Sequence, residues 1–289
     1  MASITYEIAK QIILKTQHKW IYELSEGELL EYLKTEKDKR KTDPPRLIRA
    51  RYKIETRKIA GCNCHIINPG SNRPVVLFLH GGGFILEAEW AHWVAIDKIL
   101  RASGAEIWFL VYPLLPDFSA SQMSAVVLST YKEMLASYNP QNITVLGDSA
   151  GAILAINLAQ SINKLDFPRK MILVSPGQVA VKDEKMLAKM KEIEPRDIML
   201  TTKMFDVIGS LMPEVTKDNY ELLSRGDFPP LLVFSGTDEV FYPAVTEFVE
   251  NLKTPVDFIV GDGLCHVWPY VPLVPECEAG LNKIIEAIK

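Results

Sequence analysis

The sequence predicts an α/β fold in which a mostly parallel central sheet is flanked by helices. Three observations carry this. Short, continuous apolar runs of strand length recur from Tyr52 to the C-terminus, as expected of strands covered on both faces. Segments of helical length separate them, which implies right-handed crossovers between parallel strands. The chain has 289 residues, 48% hydrophobic and 24% charged, within reach of one large domain with a substantial core.

Taken in order, the chain begins helical. Ile4 to about Leu24 carries apolar side chains at helical spacing, including Ile8, Ile12, Trp20 and Leu24, and that stripe calls for an apolar partner. Ser25 with Glu28 reads as a capping box opening a second helix through Leu29, Leu30 and Leu33, and Asp43-Pro44-Pro45 stops it. Strands are expected at Tyr52–Ile59, Cys64–Ile67, Val75–Leu79, Ile107–Tyr112, Ile143–Leu146, Met171–Val174, Leu231–Phe234 and Asp257–Val260. Helices are expected at Trp90–Ala102, Ser121–Ser137, Ala150–Ile162, Pro243–Leu252 and Glu276–Ile288. Residues 175–230 are too long for a plain crossover and read as a helical insertion, with Met186–Ile193, Thr201–Met212 and Asn219–Leu223 as its helices. The expected organisation is an N-terminal helical element, 1–45, and a main domain, 46–289, interrupted at about 175–230. The two helical parts are expected to pack together as a cap.

Several function classes are excluded. The formal net charge of −4 provides no broad basic field, so no nucleic-acid partner is expected. The run Glu36 to Lys41 has mixed signs and reads as a solvated helix end or linker. Ile12-Ile13-Leu14, between Lys10 and Lys15, is too short for a signal-peptide core, and no apolar run is long enough for a bilayer. Four cysteines do not form a disulfide framework, and Cys62-x-Cys64 lacks the second ligand pair of a zinc site. A cytoplasmic protein without membrane insertion is the expectation.

Two motifs carry chemistry. Gly147-Asp148-Ser149-Ala150-Gly151 lies between a strand and a helix, the context in which a serine is held on a sharp turn and its hydroxyl raised above the sheet edge. His80-Gly81-Gly82-Gly83-Phe84 directly follows the strand Val75–Leu79. Glycines in succession permit close backbone approach, and the N–H groups of Gly82, Gly83 and Ala150 would form an oxyanion hole. The spacing does not match a dinucleotide-binding fingerprint, and His80 reads as a group that orients the glycine loop.

His-Gly-Gly-Gly-Phe some way before Gly-Asp-Ser-Ala-Gly resembles the hormone-sensitive-lipase-like esterases of the α/β-hydrolase superfamily. The resemblance runs through residues 75 to 289 and implies the α/β-hydrolase fold with a helical cap. It also implies a nucleophile, acid and base in the order Ser, Asp, His. Asp238, on the loop after Leu231–Phe234, takes the acid position, with its neighbour Glu239 as the rival. The family often has Asp-Pro-Leu where this chain has Asp-Glu-Val. Of His18, His65, His80, His92 and His266, only His266 follows the last strand, and it takes the base position. Cys265 beside it reads as a small buried side chain. The activity implied is hydrolysis of a short-chain, small-molecule carboxylic ester through an acyl-enzyme on Ser149, with no metal or organic cofactor and a homodimer left open. Amidase, lactonase or peptidase chemistry on the same fold, or a non-catalytic binding relative, are the alternatives. Trp90, Trp93 and Phe84 are candidates for an apolar wall or for core.

Overall fold

The structure, a computed structural model, describes residues 2–16, 19–37, 42–70, 73–177, 181, 183–212 and 227–289. Its centre is an eight-stranded sheet in the order β1-β2-β4-β3-β5-β6-β7-β8. The strands are β1 (Ile54–Ile59), β2 (Cys62–Ile67), β3 (Val75–Leu79), β4 (Glu106–Leu110), β5 (Ile143–Asp148), β6 (Lys170–Val174), β7 (Leu231–Gly236) and β8 (Val256–Gly261). The hairpin β1–β2 is antiparallel and joins β4 antiparallel; every other pairing is parallel. This is the mostly parallel α/β-hydrolase architecture. The apolar runs of β3, β4 and β5 are buried at every position, because helices cover both faces there.

Alternation along β3 divides the core into two layers. Val75, Leu77 and Leu79 face one side, with Met123 and Val127 of a helix Ala120–Leu135 and Ile153 of a helix Ala150–Ser161. Val76 and Phe78 face the other, with Ile96 and Ile99 of a helix Trp90–Ser103 and Leu281 and Ile285 of a helix Pro275–Ile288. Each such buried side chain contributes about 1.5–3 kcal/mol relative to exposure.

In chain order the helices are α1 (Ile4–Thr16), α2 (Glu26–Lys37), α3 (Arg46–Arg51), α4 (Trp90–Ser103), α5 (Ala120–Leu135), α6 (Ala150–Ser161), α7 (Glu184–Ile193), α8 (Met204–Ser210), α9 (Tyr242–Asn251) and α10 (Pro275–Ile288). The capping box before α2 forms: Ser25 N–H donates to Glu28 Oε2 at 2.8 Å, and Glu28 N–H to Ser25 Oγ at 3.4 Å. The expected helix Asn219–Leu223, His18 and residues 38–41 of the charged run lie outside the described residues.

The N-terminal helix departs from expectation. The α1 stripe of Ile8 and Ile12 stays 60% and 59% exposed, and the side chain α1 buries is Tyr6. The physical reason is anchoring from the opposite face. Ser3 donates through its N–H and its hydroxyl to Glu276 at the start of α10, and the Tyr6 hydroxyl bonds Cys265. Tyr6 packs, with Ala9 and Ile13 behind it, in the core layer on the α10 side. The segment after α1 packs differently. Ile21, Leu29 and Leu33 share a buried cluster with Met204, Val207 and Ile208 of α8. Lys19 Nζ reaches the Asp197 carbonyl at 2.6 Å, and Lys203 Nζ reaches the Glu23 carbonyl.

The strand order reverses at β3: β4 lies on one side of it and β5 on the other. The crevice at the carboxyl ends of β3 and β5 is therefore the switch point where α/β sheets bind ligands. Both glycine-containing motifs emerge there.

Candidate active site

Ser149 joins β5 to α6 with φ 49° and ψ −116°. A side-chain-bearing residue in that region stores about 1–3 kcal/mol of strain. The turn is tight enough to dictate its flanks: a Cβ on Gly147 would stand 2.5 Å from the Gly151 carbonyl oxygen, and one on Gly151 only 2.0 Å from that of Leu79. The Ser149 N–H is tied to the Val174 carbonyl at 2.9 Å. Its hydroxyl is consequently held at the N-terminus of α6, where developing negative charge is favoured.

His266 Nε2 lies 2.9 Å from Ser149 Oγ, and its Nδ1 lies 2.8 Å from Glu239 Oε2. A carboxylate only accepts, so Nδ1 carries the proton and Nε2 presents its lone pair to the serine hydroxyl. The loop bearing His266 is fixed by Val267 N–H donating to Ser175 Oγ at 2.9 Å.

The acid position is a correction. Asp238, expected against His266, instead accepts from Arg196 Nε at 3.0 Å, while its own N–H donates to the Leu264 carbonyl. Glu239 occupies the site, fully buried, with Oε1 accepting from Ser235 Oγ and from Gly236 N–H. The cause is the turn after β7: Glu239 N–H closes back on the Gly236 carbonyl at 3.3 Å, which points residue 238 outward and residue 239 inward.

A third acidic residue lies nearby that the sequence reading did not select. Asp197, in the insertion, is 2% exposed and accepts from the N–H groups of Met199, Leu200 and Val240 at 2.8–2.9 Å. Burial pushes its carboxyl up to about 6, against the opposing pull of those N–H groups and of His266. Arg196 and Asp197 thereby hold the residues on either side of Glu239. Nothing in the local sequence marks Asp197, because its partners are backbone groups.

The glycine loop sits opposite. Gly82 has φ 116°, where a Cβ would lie 2.6 Å from the Leu86 carbonyl oxygen. The N–H groups of Gly82, Gly83 and Ala150 donate to no backbone carbonyl among the described residues. His80 is fully buried, its Nδ1 donating to the Gly81 carbonyl at 2.6 Å and its ring stacked on Tyr112. Burial, and next the adjacent His92, lower it to about 4, so it is neutral near neutral pH. Glu89 N–H donates to His92 Nδ1, which leaves Nε2–H for Asp148 at 3.1 Å. His65 bridges Thr56 and the Thr42 carbonyl, away from the site. Cys265 is buried and burial raises its thiol to about 12, leaving no thiolate to act as nucleophile.

Ser149 and His266 line a cavity of about 370 Å³ whose remaining walls include Ile13, Leu86, Met199, Leu200, Val271 and Pro272. Trp90 is part of that wall, whereas Trp93 and Phe84 belong to the core. The cavity is not fully roofed. Its rim residues Ile12, Trp90 and Leu273 are 59%, 68% and 83% exposed. Among the described residues no helix is long and apolar enough to cross a membrane.

Comparison with known proteins agrees with this architecture. The chain is 27% identical over 234 residues to an acetyl-hydrolase of Streptomyces hygroscopicus, covering 75% of this chain and 76% of that one. It is 23% identical over 244 residues to Esterase LipU of Mycobacterium tuberculosis, covering 78% and 80%. A crystal structure of an esterase from the bacterial hormone-sensitive lipase family superposes with a TM-score of 0.76 at 21% identity, covering 100% of this chain and 98% of the other. A family model described as the alpha/beta hydrolase fold matches residues 76–270, from β3 through His266, and the chain belongs to that family.

Proposed function

We propose that this protein is a serine carboxylesterase that hydrolyses short-chain carboxylic esters through an acyl-enzyme on Ser149. One observation carries the reading: the unbroken chain Ser149 Oγ, His266, Glu239, at 2.9 and 2.8 Å, beside an apolar cavity. His266 Nε2 takes the serine proton as Oγ attacks the ester carbonyl. Glu239 holds the Nδ1–H tautomer and stabilises the imidazolium that forms. The developing alkoxide accepts hydrogen bonds from Gly82, Gly83 and Ala150 N–H. His266 then protonates the leaving alcohol, and water activated by the same nitrogen releases the acid.

The resemblance to hormone-sensitive-lipase-like esterases, and the name of the relative Esterase LipU, favour esters over amides as substrate. A cavity of about 370 Å³ lies toward the small end of the roughly 300–1,000 Å³ usual for ligand sites and favours short acyl groups. Residues 1–45 and the insertion at about 175–230 act together as the cap, a reading supported by the contacts of Ile21 and Leu29 with α8.

The test is hydrolysis of p-nitrophenyl esters of increasing chain length by the wild type and by Ser149→Ala. Turnover should peak at short acyl chains and fall on the order of 10⁴–10⁶ in the variant. Residual activity within tenfold of the parent refutes Ser149 as nucleophile.

A further inference from the structure

The two glycine-containing motifs meet at one point. A Cβ on Gly81 would stand 2.2 Å from Asp148 Oδ2 and 3.1 Å from Ser149 Cβ, so the carboxylate next to the nucleophile lies directly against the glycine loop. Within the loop, Tyr112 donates to the His80 carbonyl, His80 to that of Gly81, and Leu86 N–H to that of Gly82. Those bonds fix the shape of the loop. Its distance from Ser149 depends on two close contacts, Leu79 against Gly151 and Gly81 against Asp148. The first joins backbone to backbone. The second rests on a side chain and is only as firm as the rotamer of that side chain.

Asp148 is buried, yet its Oδ1 has no hydrogen-bond partner among the described residues. Its Oδ2 accepts from His92 Nε2 at 3.1 Å, and that bond orients the carboxylate. A buried carboxylate bonded at one oxygen is costly to keep, unlike a group placed for stability. His92 is itself locked. Glu89 N–H holds its Nδ1 at 2.9 Å, and its ring stands edge-on to those of Phe78, His80 and Tyr270. The first turn of α4 is thereby connected, through His92 and Asp148, to both motifs.

We propose that His92 is a positioning residue for the oxyanion hole. By fixing Asp148 against Gly81, it sets the distance from the N–H groups of Gly82 and Gly83 to Ser149. It acts through Asp148 and not on the substrate, and the proposal rests on the esterase reading above. Two substitutions separate this role from the capping of α4. His92→Asn keeps an oxygen near the place of Nδ1 for the Glu89 N–H but falls short of Asp148. His92→Gln instead brings an NH₂ donor near the place of Nε2, within reach of Asp148.

The experiment measures kcat and KM on p-nitrophenyl butyrate, the Ki of butyl trifluoromethyl ketone, and Tm. The hemiketal of that ketone places its oxyanion where the transition state does. In His92→Asn, kcat should fall about tenfold to a hundredfold, up to the roughly 10²–10³ lost with a whole oxyanion-hole donor. KM should change less than about threefold, and Ki should rise in step with the loss in kcat/KM. His92→Gln should keep at least about a third of the parent kcat. A folded His92→Asn with kcat within about threefold of the parent, a loss carried by KM, an unchanged Ki, or an equal loss in both variants overturns the proposal and leaves the esterase reading standing. Should His92→Asn fail to fold, His92→Gln decides alone: near-parental turnover upholds the proposal and a loss of about tenfold overturns it. A wild type that hydrolyses no ester refutes the esterase reading and this proposal with it.

Discussion

Exchanging Glu239 for Gln replaces one carboxylate oxygen by NH₂ at a fully buried position and separates the two adjacent acids by function. The amide oxygen can still accept from Ser235 Oγ and Gly236 N–H, so the turn after β7 should persist. The NH₂ then faces His266 Nδ1 at the distance the carboxylate held, 2.8 Å. Two donors cannot share that contact, so Nδ1 must accept and the proton moves to Nε2. Ser149 then meets an N–H instead of a lone pair. Loss of the working tautomer in another serine triad costs about 10⁴ in kcat, equivalent to about 5.4 kcal/mol of transition-state stabilisation. Asp238→Asn removes only the charge of the pair with Arg196, whose side chain is 55% exposed, worth roughly 0–1 kcal/mol and at most a few-fold in rate. The assay is steady-state kcat on p-nitrophenyl butyrate, with thermal unfolding to confirm folding. A larger loss in Asp238→Asn than in Glu239→Gln, or a Glu239→Gln enzyme within tenfold of the parent, refutes the argument.

Three further outcomes follow. Asp197 has a folded-state carboxyl raised from 3.8 to about 6, so its stabilising contribution is complete below about 3.8 and lost as pH rises through about 6. The wild type should therefore lose up to roughly 3 kcal/mol relative to Asp197→Asn between pH 4 and pH 7 in denaturant titrations, and a constant difference refutes it. Trp90→Ala removes an exposed part of the cavity rim and should leave Tm nearly unchanged while raising KM for the longer acyl chains; an equal effect on acetate and hexanoate would refute a wall position. Deleting residues 1–16 removes Tyr6 from beside Cys265 and the Ser3 bonds to Glu276, so Tm should fall by several degrees; an unchanged Tm shows that α1 contributes nothing to that layer.

The strand runs were legible because both faces of β3, β4 and β5 are buried, which writes their position as uninterrupted apolar residues. Ser149 was legible for a steric reason: Gly147 and Gly151 are required by backbone approaches of 2.5 and 2.0 Å, so the motif records the geometry. His266 was reachable by its place after the last strand. Glu239 was not, since two neighbouring acids on a turn differ only in which way the turn points them, and that is fixed by the contact between residues 236 and 239. The departure from Asp-Pro-Leu at 238–240 was the signal available. The α1 stripe misled because Ile8 and Ile12 stay exposed, Ile12 at the cavity, while Tyr6 provides the anchor.

The grip of Arg196 and Asp197 on residues 238 and 240 bears on engineering by exchange of parts. The insertion looks like a module that could be swapped between relatives to change specificity. Here it is also a fastener for the loop that holds Glu239. A chimera that imports a foreign insertion without a residue to meet Val240 N–H would leave that buried amide unbonded and the acid loop loose. The exchangeable unit is therefore the insertion together with the turn after β7, transplanted as a pair.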